Sequence, residues 1–171
     1  MTQELLTLYK LIVLYMLEWA NFPLTKAQIG DFILEKEYTN FLTLQQAISE
    51  LTDSGMVTAV TIGNRTQLHI TEEGRSTLSF FQNRIANGIK EDIRSYLKEK
   101  SPQLRNEVFI TSEYFRSPGG EYTAHLSAKE KDADLVSITL SVPFEEMASA
   151  ICDNWQKKNQ EIYKYLTEQL F

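Results

Sequence analysis

LQQAISELTDSGMVTAVTIGNRTQLHITEEG, running from Leu44 to Gly74, is the stretch that decides the fold. Leu44, Ala47, Ile48 and Leu51 stand three and four residues apart, the spacing that lines apolar side chains along one face of a helix. Thr43 precedes them as an N-cap, its hydroxyl able to accept an unpaired amide of the first turn. Gly55 suits the left-handed position just past a helix end, which residues with a Cβ avoid. Met56–Ile62 then alternates apolar and polar residues, the period of a strand. Gly63 and Asn64 both tolerate positive φ and form a hairpin turn, after which Thr66–Ile70 returns. Thr71 caps a further helix, and Glu72 and Glu73 lie in its first turn, where the helix dipole favours acids.

Two helices precede this stretch. The first covers about Glu4 to Trp19 and ends before Asn21 and Pro23, since proline cannot continue helical hydrogen bonding. Its segment Leu11–Leu17 is apolar on every face. Such a helix is usually buried on more than one side, so it is expected to pack on its own domain and on a second copy of the chain. Lys10 and Glu18 interrupt the apolar run, which is short for a bilayer and has no signal-peptide cleavage pattern. The second helix is capped by Thr25 and ends near Lys36.

The order is thus three helices, strand, turn, strand. TKAQIGDFILEKEYTNFLTLQQAISELTDSGMV, TIGNRTQLHIT and EEGRSTLSFF together resemble the winged helix, a helix-turn-helix followed by a β-hairpin wing. LHITEEG is similar to the wing-to-helix junction of many bacterial transcription regulators. The whole chain also resembles a bacterial family known only as a winged-helix domain of unknown function. The resemblance implies a DNA-binding transcriptional regulator acting as a homodimer.

Downstream, Leu78, Phe81, Ile85, Ile89, Ile93 and Leu97 continue a helical stripe. Asn87-Gly88 is a candidate kink, because glycine weakens a helix interior by roughly 1 kcal/mol. Ser101-Pro102 is expected to end that helix. The last third changes to period two. Val108 and Ile110 alternate with polar neighbours, as do Tyr122 to Ala128 and Val136 to Val142, which predicts a three-stranded antiparallel meander. Pro143 opens a last helix whose stripe runs Phe144, Met147, Ile151, Trp155, Ile162, Leu166 and Leu170. That helix, about 40 Å long, outruns a strand of about 33 Å, so Tyr163–Phe171 is left to meet a partner chain or the first helix. The fold class is α+β. Residues 1–80 form a winged-helix domain, and 81–171 form a dimerisation or sensor domain of sheet and helices. Dimerisation is expected through the first and last helices.

Catalytic chemistry finds little material. The two histidines, His69 and His125, lie in strands, and no zinc spacing involves the single Cys152. One cysteine makes no internal disulfide, which favours a reducing cytoplasm. Phosphate-binding glycine motifs are absent, and Asp132 and Asp134 lack the glycine and distal Glu of a calcium loop. No enzyme, metal or cofactor is expected. Aromatic residues Tyr96, Phe109, Tyr114, Phe115, Tyr122, Trp155 and Tyr163 serve as core or as the lining of a small effector pocket.

A helix-turn-helix presents the start of its second helix to base edges. Here that start carries Thr43, Gln45, Gln46 and Ser49, and Gln bonds adenine bidentately. Tyr38, Thr39 and Asn40 in the turn, Lys26 at the start of the second helix and Arg65 at the wing tip are expected on phosphates or in the minor groove. Charge opposes this reading. Residues 1–80 hold five basic residues against nine acidic ones, a difference of −4, and the whole chain of 171 residues carries −6. Phosphate neutralisation supplies much of DNA affinity, so non-specific binding is expected to be weak. The competing reading is a protein-interaction module that keeps the architecture without binding DNA.

Overall fold

The apolar run Leu11–Leu17 forms the heart of an N-terminal helical unit. In the computed structural model, which describes residues 2–131 and 133–171, helix α1 spans Gln3–Ala20. All seven residues of the run are buried. Around α1 pack α3 (Phe41–Asp53), β3 (Arg65–Ile70) and α4 (Glu72–Phe81). The chain itself therefore covers every face of the run. The burial of this run is supplied within its own unit.

The chain divides into two compact units. The first extends to Thr61 and resumes over Arg65–Arg105; the second comprises Ile62–Asn64 and Asn106–Phe171. The division lies well beyond the expected boundary at residue 80. The physical reason is helix α5 (Asn87–Phe109), much of which is tied to the first unit. Arg94 Nε donates to the Tyr15 hydroxyl at 2.7 Å, Tyr96 packs on Phe32 with ring centroids 4.8 Å apart, and Gln28 Nε2 donates to the Leu104 carbonyl at 3.2 Å.

Within the first unit, a short strand β1 (Leu24–Thr25) leads into α2 (Lys26–Glu35). Thr25 and Gln28 cap α2 reciprocally: Thr25 Oγ1 accepts from Gln28 N at 3.0 Å, and Gln28 Oε1 accepts from Thr25 N at 2.9 Å. β2 (Val57–Ile62) and β3 form the hairpin, and β1 adds to it antiparallel, giving the order β1-β3-β2. Gly55 and Gly63 both have positive φ, as their turns require. The helical stripe after Thr71 is broken rather than kinked. α4 ends at Phe81, a 3-10 turn covers Gln82–Arg84, and α5 begins at Asn87. Pro102 lies inside α5, so Ser101-Pro102 does not end it.

The second unit holds the expected antiparallel meander. β4 (Ile110–Arg116), β5 (Tyr122–Glu130) and β6 (Ala133–Val142) pair in sequence order. Val108 belongs to α5, not to β4. α6 spans Glu145–Leu170, starting after Phe144 and not at Pro143. One sheet face receives α6: Ala124, Leu126 and Ala128 form a core with Ala148, Cys152 and Trp155. Trp155 Nε1 donates to the Ser127 carbonyl at 3.2 Å, which satisfies the polar atom of a buried indole. The buried side of α6 thus runs Ala148, Cys152, Trp155 and Asn159, while Phe144, Met147 and Leu170 of the expected stripe lie at the surface. Ile151 and Ile162 of that stripe pack against the same core. His125 stands on the opposite, polar face, with Nδ1 3.2 Å from Thr139 Oγ1. Asp134 ion-pairs with Lys129, and Asp132 lies outside the described residues. The architecture is mixed α+β, and no helix among the described residues is long and apolar enough to cross a membrane.

Candidate nucleic-acid interface

α3 carries the candidate reading surface, and its start lies further upstream than the sequence suggests. Asn40 is the N-cap: its Oδ1 accepts from Thr43 N at 2.9 Å, so α3 opens at Phe41. Thr43 is therefore a residue of the first turn and is buried, only 6% exposed. The cap thus occupies the Oδ1 of Asn40, expected on a phosphate, and the Thr43 side chain, expected at base edges, faces the core. A β-branched hydroxyl and an asparagine three residues apart are both good caps, and only packing decides between them.

Tyr38 is also withdrawn from the expected surface. Its hydroxyl donates to Asp92 Oδ2 on α5 at 2.7 Å. Burial, that hydrogen bond and the carboxylate charge together push the phenol well above its ordinary pKa. The turn that holds Tyr38 closes by Tyr38 N–H donating to the Ile33 carbonyl at 3.1 Å, with Glu37 in the left-handed region at φ 57°. Thr39 is half-buried beside it.

Of the remaining candidates, those on α3 share one side of the helix by their spacing. From α3, Gln45 is half-buried and Gln46 and Ser49 are exposed, one helical turn apart. Arg65 begins β3 at the exposed tip of the hairpin, and Lys26 begins α2, half-buried. Glu50, one residue beyond Ser49, is turned toward α1, where its Oε1 lies 3.3 Å from Lys10 Nζ. Its Oε2 is buried without a partner. Arg75 is engaged by Glu18 at 2.9 Å and Glu72 at 2.7 Å. Two of the five basic residues upstream of residue 80 are thus neutralised within the unit.

Sequence reading missed two members of this face. Leu42 is 79% exposed and Phe41 58%, large apolar side chains at the very start of α3. Had the helix been begun at Phe41, its phase would have placed Leu42 beside Gln45, Gln46 and Ser49, opposite Leu44 and Ile48.

The aromatic set divides between core and surface: Trp155 is buried in the sheet core and Tyr122 packs against it. Only Trp155 of that set is buried; Tyr96 belongs to the first unit, and Tyr114, Phe115 and Tyr163 are at the surface. Around Cys152 the chemistry is quiet: burial pushes the thiol up, away from reactive thiolate character. Among the described residues, no three His, Cys, Asp or Glu converge as metal ligands.

No curated protein matches the chain, and no solved structure matches it. The model of the family described as "Domain of unknown function (DUF4364)" matches residues 9–170, and the chain belongs to that family.

Proposed function

We propose that the protein is a cytoplasmic, winged-helix transcriptional regulator that reads double-stranded DNA as a homodimer and performs no catalysis. The observation that carries this reading is the run α2, closed turn, α3 and hairpin, with β1 joining the hairpin ahead of α2. In that arrangement Gln45, Gln46 and Ser49 would meet base edges, and Lys26 and Arg65 would meet phosphates. The absence of Lys and Arg from α3 makes the reading surface polar and uncharged, which favours hydrogen-bond readout over charge. For self-association the support has moved to α6. Its last turns leave Tyr165, Leu170 and Phe171 uncovered, whereas α1 offers no free apolar face in Leu11–Leu17.

Selection from fragmented genomic DNA at about 50 mM and about 200 mM salt tests the proposal. Enrichment of one inverted repeat is the expected result. Gln46→Ala should weaken binding to it by about 1–3 kcal/mol, roughly 5- to 150-fold, and relax one base position. Absence of enrichment at both salts overturns the reading.

One observation favours a second reading. Phe41 and Leu42 are apolar anchors of the kind that bind protein rather than DNA. On that reading Leu42→Ala abolishes capture of a protein partner and Gln46→Ala does not.

A further inference from the structure

The first unit holds a concentration of positive charge that the α3 surface does not use. Lys90, Arg94, Lys98 and Arg105 recur along α5 at steps of four, four and seven, which keeps them on one side of the helix. Three of them line a groove of about 450 Å³ beside the end of α1, together with Trp19, Phe22 and Ser101. No acidic residue lines the groove. Of the acids on α5, Asp92, which is bonded to Tyr38, and Glu99 fall away from this side, whereas Glu91, one turn before Arg94, shares it without lining the groove.

The two arginines are held in place by rings. The Arg94 guanidinium lies 4.6 Å from the Trp19 ring centroid and 5.8 Å from that of Tyr15. The Arg105 guanidinium lies 4.7 Å from the Phe22 ring centroid. Each spends its Nε on a hydroxyl: Arg94 on Tyr15 at 2.7 Å, Arg105 on Ser101 at 3.3 Å. The Nη donors of both forks are left for another acceptor, and a planar fork suits a carboxylate or phosphate. The C-terminal dipole of α1 accounts for only part of this charge. It amounts to roughly half a negative charge, against three positive ones in the groove.

We infer that this groove binds a small polyanion with two or more negative charges, a phosphate ester or a polycarboxylate. Arg94 and Arg105 clamp its oxygens, and Lys98 adds a point charge between them. The volume is that of a small-molecule site. The inference stands apart from DNA reading, because none of these residues lies on α3 or the hairpin.

Titration calorimetry of the full chain with pyrophosphate and with citrate, at ionic strength held constant with NaCl, tests it. Tryptophan fluorescence follows the same titration, because Trp19 lies under Arg94. Saturable one-to-one binding is expected, with Kd below about 1 mM and a Trp19 response. Arg94 braces Tyr15 and Trp19, so the decisive variants are the more peripheral Lys98→Met and Arg105→Gln. Each should weaken binding at least about 10-fold, with circular dichroism and Tm of the free protein unchanged. Tighter pyrophosphate binding assigns phosphate esters; tighter citrate binding assigns polycarboxylates. No saturable binding of either probe, or equal affinity in both variants and the parent, overturns the inference.

Discussion

Gly74 has no side chain because its surroundings admit none. It is the third residue of α4, and its N–H donates to Thr71 Oγ1 at 3.1 Å. Thr71 N–H in turn donates to the Met56 carbonyl at 3.0 Å, which brings that carbonyl against Gly74. A Cβ at Gly74 would collide with the Met56 oxygen and stand 2.9 Å from Ile70 Cγ1. The oxygen cannot withdraw without breaking the bond that fixes the start of α4. Gly74→Ala should therefore destabilise the protein by about 2–4 kcal/mol, although alanine favours a helix by about 1 kcal/mol. A lowered urea midpoint at unchanged m value is the expected result, and an unchanged midpoint would refute the collision. The sequence gives no warning of this, since a glycine inside a helical stripe looks like a mild defect. Residues of the candidate interface mislead in the same way. Tyr38, Asn40 and Thr43 are all competent phosphate or base ligands by type. Each is consumed locally, by Asp92, by the α3 cap and by the core. A short polar side chain near a helix start has two uses, and only the position of the start tells them apart.

At the scale of elements, periodicity located nearly every helix and strand, and punctuation residues misplaced their ends. The stripe of α3 and the alternation of β5 and β6 arise from burial of one face, so they survive in any chain that folds this way. Pro102 is the opposite case. A proline was expected to stop α5, yet the helix continues to Phe109. Leu104 and Val108 beyond it are buried, and that burial outweighs the missing donor and the steric conflict with the preceding turn. The cost should then be recoverable. Pro102→Ala is expected to stabilise the protein by about 1–3 kcal/mol, seen as a Tm rise of roughly 2–12 °C. A fall in Tm would mean that Pro102 contributes more to the fold than its missing donor costs. The partial match of α6 to its expected stripe has a related origin: Ile151, Trp155 and Ile162 pack on the sheet core, and Phe144, Met147 and Leu170 do not. Its apolar residues outnumber what three strands can cover, so the stripe of small residues with Trp155 wins the contact and Met147 and Leu170 are left outside.

For the whole molecule, charge is the quantity that constrains function most, and it was legible from the sequence in amount but not in arrangement. The net charge is −6. Folding ties Lys10 to Glu50 and Arg75 to Glu18 and Glu72, and gathers Arg94, Lys98 and Arg105 into one groove. The cations proposed for the DNA-facing side are Lys26 and Arg65 in each chain, four in a dimer. Each phosphate neutralised contributes about −0.9 to the slope of log Kobs against log salt. A dimer reading its repeat through Gln45, Gln46 and Ser49 should therefore show a slope near about −3.6, shallow for a specific regulator. Measuring Kobs for the selected repeat across about 50–300 mM NaCl gives this number directly. A slope near zero would remove Lys26 and Arg65 from the interface, and Arg65→Ala would then leave affinity unchanged. A slope steeper than about −6 would exceed what those residues can supply. It would bring the α5 cations onto phosphates as well, and Lys98→Met would flatten it by about one unit per site. The intermediate value alone agrees with a polar reading surface on an acidic protein, in which specificity resides in amide hydrogen bonds and the groove beside α1 stays available to its own anion.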